Sequence, residues 1–169
     1  MIYTIRFDTK LGEMLACATA DGLCLLEFTD RRILEWEFID ISKRLNDAIE
    51  PGENEHLKQI RAEIAEYMDG NRKVFNVPLV PLGTEFQQSV WKVLQQIPYG
   101  DTWSYLQLAN KISNANAVRA VASANGFNKI GIVIPCHRVI GSNGKLTGYG
   151  GGLERKKWLL DLESHNALF

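Results

Sequence analysis

The chain has 169 residues, 46% of them hydrophobic and 23% charged, which is enough to bury a sizeable core in one domain or two small ones. Its longest apolar runs are too short to cross a membrane, and no basic segment followed by an apolar one resembles a secretory signal. Three cysteines leave at least one unpaired in any monomeric disulfide scheme. These features argue against a membrane or secreted protein and predict a cytoplasmic one.

The net charge of −1 conceals an uneven charge distribution along the chain. Residues 1–82 carry 10 Lys and Arg against 15 Asp and Glu, whereas residues 83–169 carry 9 against 5. The span from Thr102 to Leu153 has no acidic residue, and its bases are Lys111, Arg119, Lys129, Arg138 and Lys145. We predict a basic surface suited to a polyanion, although a Gly- and Asn-rich segment without such a partner would show a similar pattern.

Residues 2–28 predict a β-meander. Its strands are expected at Ile2–Phe7, Met14–Thr19 and Leu23–Phe28. Asp21-Gly22 is a strong signal for the hairpin between the second and third strands. Cys17 and Cys24 lie on these strands with no histidine nearby, so we interpret them as buried core residues and expect no metal site there.

Two amphipathic helices and a further strand are predicted next. Their apolar faces are Leu34, Phe38, Ile41 and Leu45 in the first helix, and Leu57, Ile60, Ile64, Tyr67 and Met68 in the second. Asp30 is expected to cap the first helix, and Gly70 to end the second. A strand is predicted over 74–77, followed by a linker with a domain boundary near Leu82. Residues 1–82 contain no obvious catalytic constellation and are interpreted as a scaffold domain.

After this boundary the pattern becomes helical. A first helix is predicted with Thr84 as its cap and Phe86, Val90, Trp91 and Leu94 facing inward. Thr102 or Ser104 is expected to cap a second helix, and residues 115–124 predict a third with Arg119 in its middle. A tight connection at Ser113-Asn114 favours a helix-turn-helix, although many helix pairs share this pattern. The small side chains of the third helix permit close approach to a large partner or, equally, to another helix.

A thiol and an imidazole stand side by side at Cys136-His137. The preceding Ile130–Ile134 predicts a buried strand, which Pro135 would end in a turn. Such a turn could let His137 reach the thiol directly or through one water. Since only a few per cent of a free thiol is ionised at neutral pH, a histidine oriented by a carboxylate would activate it. By itself, however, the pair is more often a buried structural cysteine beside a solvent-facing histidine.

A candidate carboxylate lies in the last predicted helix, from about Leu153 to Glu163 with Trp158, Leu159 and Leu162 inward. A carboxylate near a helix C-terminus opposes the helix dipole, so a role such as holding His137 is favoured for Glu163. Glycine loops at 141–144 and 148–152 could cradle a ligand against the backbone. They lack the order of a P-loop or dinucleotide fingerprint, and no cofactor or metal is predicted.

Several short motifs follow one another along the second half of the chain. They are Gly83-Thr84-Glu85-Phe86-Gln87, Ile97-Pro98-Tyr99-Gly100, Ser104-Tyr105, Arg119-Ala120-Val121, Pro135-Cys136-His137-Arg138-Val139-Ile140-Gly141 and Gly148-Tyr149-Gly150-Gly151. Together they resemble the O6-alkylguanine-DNA alkyltransferases, also called methylated-DNA–protein-cysteine methyltransferases. The resemblance implies DNA repair by direct, irreversible and stoichiometric transfer of the alkyl group from O6-alkylguanine, and less efficiently O4-alkylthymine, to the protein's own cysteine.

The resemblance also implies a role for each matching residue. Cys136 would be the nucleophile, His137 would activate it through a water, and Glu163 would orient the histidine. Tyr105 would donate a hydrogen bond to a guanine flipped out of the duplex, and Asn128 would brace the turn beside the site. The implied DNA- and base-binding residues are Arg119, Tyr105, Val139, Tyr149, Ala117, Ala120 and Ser123, with Arg119 filling the gap left in the duplex.

The implied fold has two domains. Residues 1–82 would form an α/β domain with a small sheet, and residues 83–169 a mainly helical, winged-helix-like domain whose helix-turn-helix enters the minor groove of double-stranded DNA. The expected protein is a monomeric, stand-alone repair protein with no additional zinc domain. Two departures from the family pattern are Ala122, often Gly, and Lys129, usually Pro, which predict a slightly more distant recognition helix and a looser Asn128 turn.

Two other functions are compatible with parts of this sequence. A non-catalytic lesion-binding relative would have its cysteine replaced, usually by Trp, and Cys136 argues against that. A hydrolase with a Cys-His pair, unrelated to DNA, would pass through a thioester that water cleaves. Alkyl transfer instead leaves a thioether, which water does not cleave.

Overall fold

The computed structural model describes residues 1–112 and 115–166, and the chain divides after Leu82 into two compact units. The connection predicted at Ser113-Asn114 lies outside the described residues. Within the described part of the chain, no helix is long and apolar enough to span a membrane.

A four-stranded sheet organises the first unit. Its strands are β1 (Ile2–Thr9), β2 (Gly12–Thr19), β3 (Gly22–Phe28) and β4 (Ile49–Pro51), in the spatial order β3-β2-β1-β4. β2 pairs antiparallel with both β1 and β3, which confirms the predicted meander. β4, which was not predicted, pairs parallel with β1. A parallel neighbour needs a crossover connection, and the chain between β3 and β4 supplies it.

Two helices complete this unit: α1 (Leu34–Leu45) and α2 (Glu55–Met68). The predicted Asp30 cap is wrong, because consecutive turns follow β3 and α1 begins after Ile33 without a side-chain cap. The side chain of Asn54 caps α2 by accepting the Leu57 amide at 3.0 Å. α2 ends as predicted before Gly70, whose φ of 80° suits glycine.

The strand predicted at 74–77 is absent. The buried Glu63 carboxylate accepts the backbone amides of Asn76 and Val77 at 3.0 and 3.2 Å, so these donors are satisfied by a side chain instead of a neighbouring strand. Sheet pairing resumes only at Leu79, which makes a single parallel bridge to Leu23.

The second unit is mainly helical. It contains α3 (Glu85–Leu94), β5 (Trp103–Ser104), α4 (Tyr105–Lys111), α5 (Val118–Gly126), β6 (Val139–Ile140) and α6 (Leu153–Asn166). β5 and β6 form a two-residue parallel pair, and α5 packs against α3 and α4. A small sheet in one unit and helices in the other confirm the predicted fold class at this level.

Capping boxes fix the starts of α3 and α4. Thr84 caps α3 as predicted, and of the two candidates for α4 it is Ser104 that accepts the amide three residues on. The inward placement of Phe86 is wrong, since this residue is 40% exposed. A 3-10 turn over 115–117 precedes α5, so Arg119 is the second residue of the α-helix and not at its middle.

Candidate active site

The segment before Cys136 is a series of tight turns, so the strand predicted at Ile130–Ile134 is wrong. The side chain of Asn128 donates to the Ile134 carbonyl at 2.8 Å and accepts the Ile130 amide at 3.0 Å. The Ile134 amide donates to the Ile130 carbonyl, and Ile132 has a φ of 69°. The apolar side chains are buried as a strand would bury them, but Asn128 organises their backbone.

A turn at Pro135 places the thiol. Pro135 has φ −82° and ψ 62°, and the Cys136 amide donates to the Ile134 carbonyl at 2.8 Å, which is an inverse γ-turn. A 3-10 turn over Cys136–Arg138 then leads into β6. The predicted turn is therefore confirmed. Cys136 is 7% exposed and His137 is fully buried, so the alternative of a solvent-facing histidine is wrong.

His137 is paired with Glu163. The Nε2 atom of His137 lies 2.8 Å from Oε2 of Glu163, and both side chains are buried. Because an ionised carboxylate only accepts hydrogen bonds, we assign the ring proton to Nε2, which leaves a lone pair on Nδ1. Nδ1 is buried and has no hydrogen-bond partner among the described residues. The imidazole therefore has the tautomer of a proton acceptor.

The charges in this pair follow from burial and from neighbouring cations. Burial, together with the charges of Arg138 and Lys156, lowers the pKa of His137 against the opposing effect of Glu163, so the imidazole is neutral at pH 7. Burial alone would raise the pKa of Glu163, but His137 and Arg138 together outweigh it and hold the pKa at about 2. The site thus combines an ionised carboxylate with a neutral imidazole next to the cysteine.

Two buried cations of the site were not predicted from the sequence. Arg138 contacts both oxygens of Glu163, with Nε 2.7 Å from Oε1 and Nη2 3.0 Å from Oε2. Lys156 is 0% exposed, and its Nζ donates to the carbonyls of Val139 at 2.6 Å and Thr147 at 2.8 Å. The sequence signal that could have indicated a buried Lys156 is its spacing from Leu159 and Glu163, because the three positions share one face of α6.

The predicted basic surface therefore needs correction. Lys129 and Arg138 are buried, and the Nζ atom of Lys129 lies 5.5 Å from the centroid of the Trp91 ring. Lys111, Arg119 and Lys145 are exposed. Only three of the five bases in the acid-free span are thus available to an external polyanion.

The predicted base-binding residues surround the cysteine segment. Tyr105 donates from its hydroxyl to the Thr147 carbonyl at 3.3 Å, and burial raises the pKa of Tyr105, which keeps it a donor. Tyr149 meets His137 edge-on, with ring centroids 6.5 Å apart. Val139 is fully buried and follows the cysteine turn directly.

The predicted DNA-contacting residues of α5 lie on its exposed face. Arg119, Ala120 and Ser123 are exposed, whereas Val121 and Ala124 of the same helix are buried. Ala117, in the preceding 3-10 turn, is half-buried. Among the residues that the structure describes, no cluster of three or more His, Cys, Asp or Glu could hold a metal ion.

Comparison with known proteins covers both units. Residues 1–81 match the family described as 6-O-methylguanine DNA methyltransferase, ribonuclease-like domain, and residues 85–165 match its DNA binding domain. The chain is 42% identical over 164 residues to a methylated-DNA–protein-cysteine methyltransferase of Methanosarcina acetivorans, covering 96% of this chain and 98% of the relative.

Solved structures show the same similarity. The O6-methylguanine methyltransferase of Mycobacterium tuberculosis superposes with a TM-score of 0.82 at 38% identity, covering 98% of this chain and 94% of that one. Mycobacterium tuberculosis OGT in complex with DNA superposes with the same TM-score and identity, covering 97% and 94% of the two chains.

Proposed function

Since the chain belongs to the methylated-DNA–protein-cysteine methyltransferase family, we propose that it repairs DNA by moving the alkyl group of O6-alkylguanine to its own Cys136. The observation that carries the assignment to Cys136 concerns His137, the next residue in the chain. Its Nε2 atom lies 2.8 Å from Oε2 of the buried Glu163. O4-alkylthymine would be a poorer substrate. The protein acts as a monomer in this proposal.

In the proposed reaction the thiol is first deprotonated and then attacks carbon. Nδ1 of His137, directly or through a water, accepts the proton of Cys136 while Glu163 holds Nε2. The thiolate forms a bond to the alkyl carbon as the carbon–O6 bond breaks, and the bonding electron pair leaves with guanine. A hydrogen bond from the Tyr105 hydroxyl to the base stabilises the charge that develops there. The product is a thioether on Cys136.

The target base must leave the stack before this attack. Flipping a base costs a few kcal/mol, and a side chain that fills the gap offsets part of this cost. We assign that role to Arg119, exposed near the start of α5, in a helix-turn-helix made by α4 and α5. Small exposed side chains such as Ala120 and Ser123 let the helix approach the minor groove closely.

Arg119→Ala is expected to slow repair of duplex DNA far more than reaction with free O6-alkylguanine base, because only the duplex requires flipping. Rates of alkyl transfer to the protein from both substrates would be compared, with the exposed Lys92→Ala on α3 as the control. Equal losses on the two substrates would place Arg119 in the chemistry or the fold instead.

The corrected basic surface predicts a weak salt dependence of binding to unmodified duplex. With the exposed Lys111 and Lys145 contacting phosphates, and Arg119 assigned to the gap in the duplex, the slope of log affinity against log salt should be roughly −2, at about −0.9 per contact. Lys145→Ala should reduce it by about one unit. A slope near zero, or one unchanged by Lys145→Ala, would contradict this surface as the DNA-binding face.

The alternative of a hydrolase is separated from alkyl transfer by the fate of the adduct. Incubation with duplex DNA containing O6-methylguanine, followed by intact mass measurement, should show the mass of one methyl group on the protein that persists for hours in water. A hydrolase would return to its original mass, and a non-catalytic lesion binder would never gain mass.

A further inference from the structure

The guanidinium of Arg138 is buried in the site and donates hydrogen bonds to acceptors there. It contacts both oxygens of Glu163, while its Nη1 donates to the Ile97 carbonyl at 2.7 Å and its guanidinium carbon lies 5.7 Å from the centroid of the Tyr99 ring. Its side chain is only 9% exposed. A base held in this way is poorly placed for a phosphate contact, although the sequence predicted one.

One carboxylate therefore accepts hydrogen bonds from both His137 and Arg138. Oε2 of Glu163 accepts both from His137 at 2.8 Å and from Arg138 at 3.0 Å, and Oε1 accepts from Arg138 at 2.7 Å. A buried carboxylate facing only an imidazole would draw a proton onto the imidazole to form an ion pair, since an uncompensated buried charge is costly. The guanidinium compensates that charge without a proton.

We propose that Arg138 is a positioning residue that neutralises and fixes Glu163, so that Glu163 orients His137 without holding a second proton on its ring. This inference rests on the proposed function, in which His137 must be free to accept the thiol proton. The two-point contact also fixes the plane of the carboxylate, which sets the direction of the Nε2 hydrogen bond.

Other charged and titratable groups face His137 but do not replace Arg138. Lys156 on α6 lowers the pKa of His137 by its charge, yet its ammonium is hydrogen-bonded to two backbone carbonyls. Tyr149 of the glycine loop presents a ring edge, and Cys136 is the proton donor of the proposed reaction. Glu163 thus faces the neutral imidazole of His137 and the cationic guanidinium of Arg138.

The test is a titration of His137 in the resting protein. The chain has three histidines, so nitrogen-15 NMR of the imidazoles can follow each one with pH. The neutral variants Arg138→Gln and Arg138→Met should raise the pH at which the His137–Glu163 pair takes up its proton by about one unit or more. Arg138→Lys keeps a charge but loses the two-point contact, so a smaller rise in the same direction is expected.

The rate of alkyl transfer gives a second readout. Its acid limb should move to higher pH by the same amount as the His137 titration in each variant, with activity regained at high pH. Lys157→Met, an exposed change on α6, should leave both profiles unchanged. A purely structural role for Arg138 would lower the rate equally at all pH values.

The inference is overturned if a folded neutral variant titrates like the wild type. If the neutral variants do not fold, an unchanged or lower His137 midpoint in Arg138→Lys overturns it equally. Because the titration needs no DNA, its result is separate from the proposed function, which fails instead if the wild-type protein transfers no methyl group to Cys136.

Discussion

Replacing Cys136 with serine is expected to reduce alkyl transfer to an undetectable level while leaving DNA binding intact. The serine hydroxyl is a far weaker acid than a thiol, and the oxygen is a poorer nucleophile toward an alkyl carbon. In the proposed mechanism, binding and flipping use the exposed face of α5 and phosphate contacts, neither of which needs sulfur. Transfer of a labelled methyl group from duplex DNA would be measured alongside binding of the same duplex.

The other two cysteines make this test specific. Cys17 and Cys24 are fully buried in the sheet of the first unit, where burial raises the pKa of Cys17 to about 12 and that of Cys24 as well. Neither thiol should accept a methyl group in the folded protein. The double variant Cys17→Ser and Cys24→Ser serves as the control, and label retained by Cys136→Ser would refute Cys136 as the acceptor.

Glu163→Gln is expected to slow alkyl transfer by about 100-fold or more, the range found when a general base loses its function. The neutral glutamine cannot compensate the charge of Arg138, and an NH2 donor replaces one of the two oxygens that accept from His137 and Arg138. Removing one partner of a buried ion pair typically costs about 3–5 kcal/mol, so the variant should also melt earlier. Asp161→Asn, exposed on the same helix, is the control for both measurements.

The stability difference should also depend on pH. The pKa of Glu163 is depressed in the folded protein, from 4.5 to about 2, so this carboxylate stabilises the fold above pH 4.5 and progressively less as pH falls toward 2. The melting temperatures of wild type and Glu163→Gln should therefore converge over that interval. A constant difference would show that the Glu163 charge does not provide the stabilisation.

Elements specified by local signals were predictable from the sequence. The three antiparallel strands follow from β-forming residues and the Asp21-Gly22 turn, and the helix starts at Thr84 and Ser104 follow from capping chemistry. The short β4 was missed because three residues carry too little pattern, and its pairing with β1 depends on the crossover between them.

Two predicted strands failed for a common reason. At 74–77 the backbone donors are satisfied by Glu63, and before Cys136 they are organised by Asn128. In both cases one polar side chain supplies the hydrogen bonds that an adjacent strand would have supplied. Hydrophobic periodicity indicates which side chains are buried. It does not indicate whether a strand or a polar side chain forms the hydrogen bonds of the backbone.

The candidate site was half predictable. The chemistry of a thiol, an imidazole and a carboxylate indicated Cys136, His137 and Glu163 as a group, and the structure brings the last two into direct contact. Arg138 and Lys156 escaped prediction because a charged residue is expected to be exposed. Their burial depends on acceptors distant in sequence, such as the Ile97 carbonyl for Arg138, which become visible only once the chain is folded.

Titration of the wild-type protein with an excess of duplex DNA containing O6-methylguanine tests the central claim most directly. A carbon–sulfur thioether has no good leaving group, and the alkylated cysteine has no route back to the thiol in this mechanism. Repaired DNA should therefore plateau at one equivalent per protein, with one methyl group located by peptide mapping on Cys136. Continued turnover beyond one equivalent, or a methyl group on any other residue, would contradict the account.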